Sequence, residues 1–433
     1  VYVNRVINPG DDMTFEKESF HSMVEKICAD ADSAYNRVDS WNGGQYFGRV
    51  DKGACLGLKA MARWLAATPL WNGGNLPNDN RIFKSEYGYD QKRWELARDA
   101  AKAVLECTKE DGSLRYKLYE TYTKDDFRDV DGKTDTNNKK VQQRLWQMMY
   151  DMNAIQDEWV WFVTRDKDTG WSGDVLPPSQ GGHARQRPLQ EQVDEYEYIA
   201  PDGYGYPIYC NHAEKDGYDD GNPYEGIQRD PRLYRDIRYH GSWYGGNQLN
   251  TAEGNDAVGG SYLDQASHTG YYLRKFYKDG WDRGHGGHTI NGPAIWRLPE
   301  FIYIYCEAVN NLTGPNDEIY NLINKVRDRS FMAPMPPAAK SDKELMEEYI
   351  QRERRVELFY ENNRYWVARL YLQPGDYNTT SNVKASEWPY PKDQRQSHGM
   401  KPVEDPNGKI EVNGKKYRME RFVVEDNRVF SAP

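Results

Sequence analysis

The sequence predicts a mainly α fold in which helices open and close the chain and a loop-rich, aromatic-rich segment lies between them. Three observations predict it. Apolar residues recur at three- and four-residue steps over roughly the first hundred positions and again from Leu298 onward, the spacing of one helix face. Residues 165–293 carry no such period and are dominated by Gly, Pro, Asp, Asn and Tyr. At 433 residues the chain has ample length to bury a core.

The elements follow in order. Phe15 to Tyr35 places Phe20, Met23, Val24, Ile27, Cys28 and Ala31 on one helix face. Gly48 to Thr68 collects Gly53, Ala54, Gly57, Ala60, Ala62, Ala66 and Ala67 among Leu56, Leu58, Met61 and Leu65, a density of small residues that lets helix axes approach closely, as in stacked helical hairpins. Pro69 ends it and residues 71–74 make a turn. Tyr89 to Thr108 is a third helix with Trp94, Ala97, Ala101, Val104 and Leu105 as its buried stripe. Val141 to Met152 reads as a helix and Glu158 to Thr164 as a buried strand. The aperiodic stretch after it, Arg165 to Pro293, reads as functional loops on a scaffold and not as a second core. Helices return at Leu298–Leu312 and Ile319–Arg329, and Pro334, Pro336 and Pro337 break the chain. Ser341 to Glu344 has the pattern of a capping box and opens a long helix running through Asn362. The tail from Pro374 to Pro433 is polar and loop-like, with a hairpin signal at Asn413-Gly414. The organisation read from this is a helical part over 1–164, a loop-rich insert and candidate ligand face over 165–293, and a closing helical part with a polar tail over 294–433.

Composition narrows the function. The formal charge of −10 removes the counterion release that drives nucleic-acid binding. The longest apolar run, Phe301 to Cys306, is far shorter than the ~20 residues of a membrane-spanning helix. The five cysteines form no Cys-x-x-Cys pair and four lie in apolar, helix-like stretches, where a thiol behaves as a small buried hydrophobe. Phosphate loops, a dinucleotide fingerprint and a nucleophile elbow are absent from the sequence. Asp216 to Gly221 and Asp166 to Gly170 hint at calcium loops. Tyr218 at the third ligand position and Ile227 and Pro177 at the twelfth make both read as Asx-type turns. His285 and His288 have ligand-like spacing but no third ligand, so no metal and no cofactor is expected. The abundant acids make a glycosidase pair possible anywhere and diagnostic nowhere.

The positive signal is aromatic. The chain holds 33 Tyr and 13 Trp, more flat amphipathic rings than a core of this size requires, and such rings hold sugars, peptides or partners. Tyr196, Tyr198, Tyr204, Tyr206, Tyr209, Tyr218 and Tyr224 fall within thirty residues. Rings beside glycine can stand out from a loop and cover the C–H face of a sugar while Asn, Gln, Asp and Arg bond its hydroxyls. The candidate ligand-binding residues on this reasoning are Tyr204, Tyr206, Tyr209, Trp243, Tyr244, Asn247, Gln248, Trp281, Asp282 and Arg283. The ordinary alternative for any single ring is packing that pins loop to helix. In the last helix Glu353, Glu357 and Glu361 share one face, a repulsive pattern unless arginines such as Arg327, Arg329 or Arg364 sit between them, so a structural ion network is expected there.

Taken in order, several segments resemble the SusD/RagB family of outer-membrane glycan-capture lipoproteins of Bacteroidetes. Gly48 to Ala54 leads into the Ala-rich helix and then Thr68 to Gly73, like the family's first helical repeat region. Pro188 to Tyr196 with Asp202-Gly203 resembles its Pro-Thr-Gln-x-x-Val-Asp-x-Tyr segment, with Leu189 in place of Thr. Asn222-Pro-Tyr224 and Arg229 to Tyr234 match its mid-chain signature, and Gly270 to Phe276 its following strand. Glu307 to Asn310, Asn324 to Arg327 and Glu353 to Leu358 with Asn363-Arg364 resemble its C-terminal helical signature. The resemblance implies a tetratricopeptide-like helical scaffold with an irregular ligand-facing half and a few short strands. It further implies non-enzymatic capture of an oligosaccharide, occasionally a peptide, at the cell surface, with delivery to a SusC-like TonB-dependent transporter. No ligand contact carries over from it residue by residue. It also implies that Val1 enters after the family's N-terminal helical portion, which bears the lipid anchor to the outer membrane, and that Ser431 to Pro433 falls where a closing Tyr/Phe-Pro segment is expected. The rival readings are a helical glycoside hydrolase with an opposed carboxylate pair and a peptide-binding or scaffold member of the same family.

Overall fold

The computed structural model describes the chain outside residues 4, 44–45, 75–82, 120–155, 164–170, 211–212, 214–215, 220, 225–227, 245–246, 259–265, 277–293, 372–397 and 425–433. Its first layer is helical: α1 (Phe20–Tyr35), α2 (Lys52–Ala67) and α3 (Gln91–Leu105), joined late in the chain by α4 (Leu298–Thr313), α5 (Asp317–Arg329), α6 (Lys343–Glu357) and α7 (Arg364–Leu370). Side-chain caps set the starts. Ser19, Asp51, Asp90, Asn316 and Asp342 accept backbone N–H groups in the first turns of α1, α2, α3, α5 and α6. The expected cap at Ser341 is therefore displaced by one residue to Asp342, whose carboxylate accepts from Leu345 N at 3.0 Å.

The small residues of α2 work as its sequence suggests. A Cβ on Gly57 would lie 3.1 Å from both the Phe301 ring of α4 and the Val160 side chain, so the glycine leaves room for these two side chains to seat against α2. Around that approach Trp64, Trp94, Ala97, Ala101, Phe301, Ile304, Ile319, Ile323, Met346 and Ile350 form one buried cluster spanning α2 to α6. Strand β1 (Trp159–Phe162) pairs antiparallel with β8 (Ala294–Arg297) and leads the chain back into α4. The helix expected over 141–152 lies outside the described residues.

The middle of the chain builds short pieces: β2 (Tyr198–Ile199) with β3 (Gly205–Tyr206), β4 (Ile237–Arg238) with β7 (Tyr272–Leu273), and β5 (Trp243–Tyr244) with β6 (Asn247–Gln248). Here the structure corrects the expectation of loops without a core. Val193, Tyr196, Tyr224, Leu233, Tyr234, Ile237, Tyr239 and Tyr271 are buried together with Val356 of α6 and with Met400, Ile410, Val412, Tyr417 and Met419 of the tail. Strands of two residues are too short to print a period, which hid this second core. The tail is likewise more than a polar loop. Strands β9 (His398–Glu404), β10 (Ile410–Val412) and β11 (Lys415–Val423) form an antiparallel sheet in the order β10-β11-β9, with β11 in the middle. Its hairpin turns on Asn413 and Gly414, both with positive φ (52° and 77°), as a two-residue primed turn requires.

Helix α6 stops at Glu357, not at Asn362. Lys275, fully buried, donates to the carbonyls of Glu357 and Phe359, removing them from helical use, and Tyr360 and Asn362 take left-handed φ of 63° and 64°. The chain thereby reverses into α7.

Candidate functional site

A buried ionic hub joins the middle of the chain to α6. Glu357 sits 2.6 Å from Arg329, 3.2 Å from Arg297, 3.4 Å from Arg232 and 3.8 Å from Arg235, all without solvent exposure to speak of. Burial alone would raise its carboxyl pKa, but the four guanidiniums outweigh burial and hold it well below the usual range. Glu353 bridges Arg232 and Arg327, and Glu361 bridges Arg297 and Lys275. Glu158, Glu195, Glu197, Asp230 and Asp236 complete the set against Arg352, Arg355 and the cations already named. Among the described residues the connected network thus has eight carboxylates and eight cations, so it is neutral as a whole. The ion network expected from the Glu spacing is present, with Arg327 and Arg329 in it. Arg232, Arg235, Arg297 and Lys275 are members that sequence spacing could not name, because they come from distant segments. Arg364 instead lies beside Arg355 and Glu195.

The hub seats the first candidate loop. Gly205 donates to Pro334 O at 3.0 Å and its carbonyl accepts from Tyr349 Oη at 2.9 Å. A Cβ there would fall 2.3 Å from Arg327 Nη2 and 2.6 Å from Glu197 Oε2, so only glycine lets the hairpin rest on the ion pair. Flanking it, Tyr204 and Tyr206 are partly buried. Asp202 accepts from Tyr204 N at 3.0 Å and Tyr206 Oη at 2.9 Å. Burial first, and then this bond, push the Tyr206 phenol up to about 12, so it stays a neutral donor. Tyr209, also partly buried, donates to Asp194 at 3.2 Å, with the Arg421 guanidinium 5.8 Å from its ring. Tyr196, Tyr198 and Tyr224, by contrast, are wholly inside.

The second candidate loop rests on the tail sheet. Trp243 pairs with Gln248, and Tyr244 with Asn247. Gln248 donates its amide to Gly241 O at 3.0 Å and Glu411 O at 2.9 Å, so this side chain anchors the hairpin to β10. Trp243 is partly buried and Asn247 exposed. The Tyr204–Tyr209 and Trp243–Gln248 groups thus have separate supports. Trp281, Asp282 and Arg283 lie outside the described residues, as do His285 and His288.

Sequence reasoning passed over one aromatic group. Tyr365 and Trp366, on α7, are 54% and 62% exposed. Their rings lie 5.0 Å apart with planes at 85°, and the Arg369 guanidinium covers Tyr365 at 3.4 Å. Helical spacing would have found them: Val367 and Leu370 face the core, which turns 365, 366 and 369 outward.

Metal chemistry finds no support among the described residues, where no group of three or more His, Cys, Asp or Glu is placed to hold an ion. Asp219 accepts from Gly221 N at 2.9 Å, the Asx-type turn its sequence suggests, and its other oxygen takes Lys409. Cys28, Cys55, Cys107 and Cys306 are buried free thiols. No helix among the described residues is long and apolar enough to cross a membrane. One carboxylate pair is unlike the hub. Glu347 accepts from Gln351 and Asn310, while Glu307 accepts from Trp64 at 2.9 Å and Arg354 at 2.8 Å. Burial, then the neighbouring Glu307, push Glu347 up to about 7.

Comparison with known proteins completes the picture. A sequence model described as the SusD family matches residues 144–419. A SusD-like protein of Bacteroides fragilis is 19% identical over 98% of this chain and 69% of its own, with a TM-score of 0.64. A second B. fragilis structure, titled a SusD-like carbohydrate-binding protein, is 18% identical over 97% of this chain and 71% of its own, also at 0.64. At such identity these are likenesses of fold. Comparison with curated proteins finds no significant match.

Proposed function

The chain belongs to the SusD family, and from that premise we propose that it captures an oligosaccharide at the cell surface by stacking and hydrogen bonding, without cleaving it, and passes it to a SusC-like TonB-dependent transporter in the outer membrane. The observation that carries the reading is the placement of partly exposed rings, Tyr204, Tyr206 and Trp243 on hairpins bonded to Tyr349 and to β10, and Tyr209 just beyond the first hairpin, bonded to Asp194. Such rings are preorganised, so a sugar face meets them without first ordering a loop. Carbohydrate binding in one fold relative's title agrees with it.

A glycan array followed by calorimetry on the best hit tests the reading. Saturable binding with no reducing-sugar release is the expected result, and Trp243→Ala weakens it. Release of reducing ends would overturn the non-catalytic reading. The Glu307–Glu347 pair has the perturbed carboxyl a hydrolase needs, yet it is held by Trp64, Arg354, Asn310 and Gln351 within the helical layer, where a glycan chain has no place. Glu347→Gln should therefore leave glycan affinity unchanged. A peptide ligand or a purely scaffolding role is the outcome if no glycan binds.

A further inference from the structure

We propose that Tyr365 and Trp366 form a second sugar-stacking subsite, taking a pyranose unit of an oligosaccharide at the corner between their rings; this rests on the glycan-binding reading above.

The inference starts from cost. Two large rings, 54% and 62% exposed, sit side by side on a short helix whose Val367 and Leu370 already supply its packing. Leaving them in water forgoes the burial that favours aromatic side chains inside. Their orientation is fixed from three directions. The turn before them is held by Lys275 on the carbonyls of Glu357 and Phe359. Glu361 is clamped by Arg297 at 2.6 Å, and Asn363 donates to Glu300 at 3.1 Å. Arg369 donates to Tyr365 O at 2.8 Å and lays its guanidinium over the Tyr365 ring. A corner of two rings at 85° is thus built in advance, with the guanidinium of Arg369 beside it as a hydroxyl partner.

Size selects the occupant. Two aromatic side chains exposed to this degree offer on the order of 200–300 Å², while a stable protein interface needs about 800 Å² from each partner. The patch suits a small planar ligand, and the C–H face of a pyranose ring is one. Arg369 acts as a positioning residue for Tyr365.

The test uses the whole chain in native affinity gels containing laminarin, xylan, galactomannan or polygalacturonate, with calorimetry on whichever probe retards it. Trp366→Ala is expected to weaken binding roughly tenfold, a typical hot-spot loss, with an unchanged unfolding midpoint because the ring is exposed. Trp366→Phe should recover most of the affinity. Retention of affinity by Trp366→Ala within twofold, while Trp243→Ala loses it, overturns this subsite and leaves the glycan-binding reading standing. Failure of all four probes, with an empty glycan array, overturns both.

Discussion

Replacing Glu357 by alanine removes the carboxylate at the centre of the hub. Its oxygens face four guanidiniums at 2.6, 3.2, 3.4 and 3.8 Å. At an effective dielectric near 20 each such contact is worth about 4 kcal/mol of gross attraction, most of it offset by desolvation and by repulsion among the arginines. What remains after deletion decides the size of the loss. Arg329 and Arg297 keep Glu158, and Arg232 keeps Glu353 and Asp230, but Arg235 is left with Asp236 alone. The expected loss is about 3–5 kcal/mol, the range for breaking a buried pair from one side. Glu357→Gln, which keeps shape and some hydrogen bonding, should lose less. At ~2.1 cal/mol/K per residue the unfolding entropy of a chain this long is about 0.9 kcal/mol/K, so Tm moves only ~3–6 °C, and urea denaturation is the sharper assay. Because the folded pKa of Glu357 is depressed, its contribution is present above the ordinary carboxylate pKa and is lost as pH falls through the folded value. Asp317→Ala, which breaks an exposed pair with Lys340 whose side chains are 77% and 41% exposed, is the control and should leave the urea midpoint nearly unchanged. A loss for Glu357→Ala no larger than that control would refute the reasoning.

Three further outcomes are expected. Glu347 has a folded pKa raised from 4.5 to about 7, so the folded state holds its proton longer than the unfolded chain. Stability is full below pH 4.5, falls between there and 7 and is lost above; Glu347→Gln should flatten urea midpoints across that window by an amount on the order of 1–3 kcal/mol. Gly205→Ala drives a methyl into Arg327 and Glu197 and should cost about 1–3 kcal/mol in urea unfolding; an unchanged midpoint would show that the hairpin can lift without penalty. Asp342→Ala removes the cap on α6 and should cost about 1 kcal/mol, seen as a lower urea midpoint.

The helical layer was legible because a helix writes its face into neighbouring residues. Trp94, Ala97, Ala101 and Val104 point inward as their spacing says, and Gly57 among the small residues of α2 makes room for the Phe301 ring of α4. Glu353 and Glu357 announced a network by their mutual repulsion, but their partners Arg232 and Arg297 lie 121 and 60 positions away from them. The second core was not legible, since Tyr196, Tyr224 and Tyr271 come from segments too short to show a period and look in sequence like loop aromatics. Of the candidate ligand residues, Gln248 has its amide engaged in anchoring its own hairpin, a use that depends on β10 arriving from the tail. Tyr365 and Trp366 could have been read from the helix period and were overlooked beside the richer Tyr cluster.

The hub also sets when the molecule can become itself. Its bonds join Arg329 to Glu158, Arg297 to Glu158, Arg327 to Glu197 and Arg232 to Glu353, spans of 171, 139, 130 and 121 positions. Loop closure over such distances comes late, and Glu353, Glu357 and Glu361 are the last of these groups to be synthesised. Until they arrive, the arginines gathered from upstream lack three of the network's eight anions and must stay hydrated. A chain emerging from the ribosome or threading through a membrane pore therefore keeps this region pliable until residues 353–361 appear, and only then does it set hard.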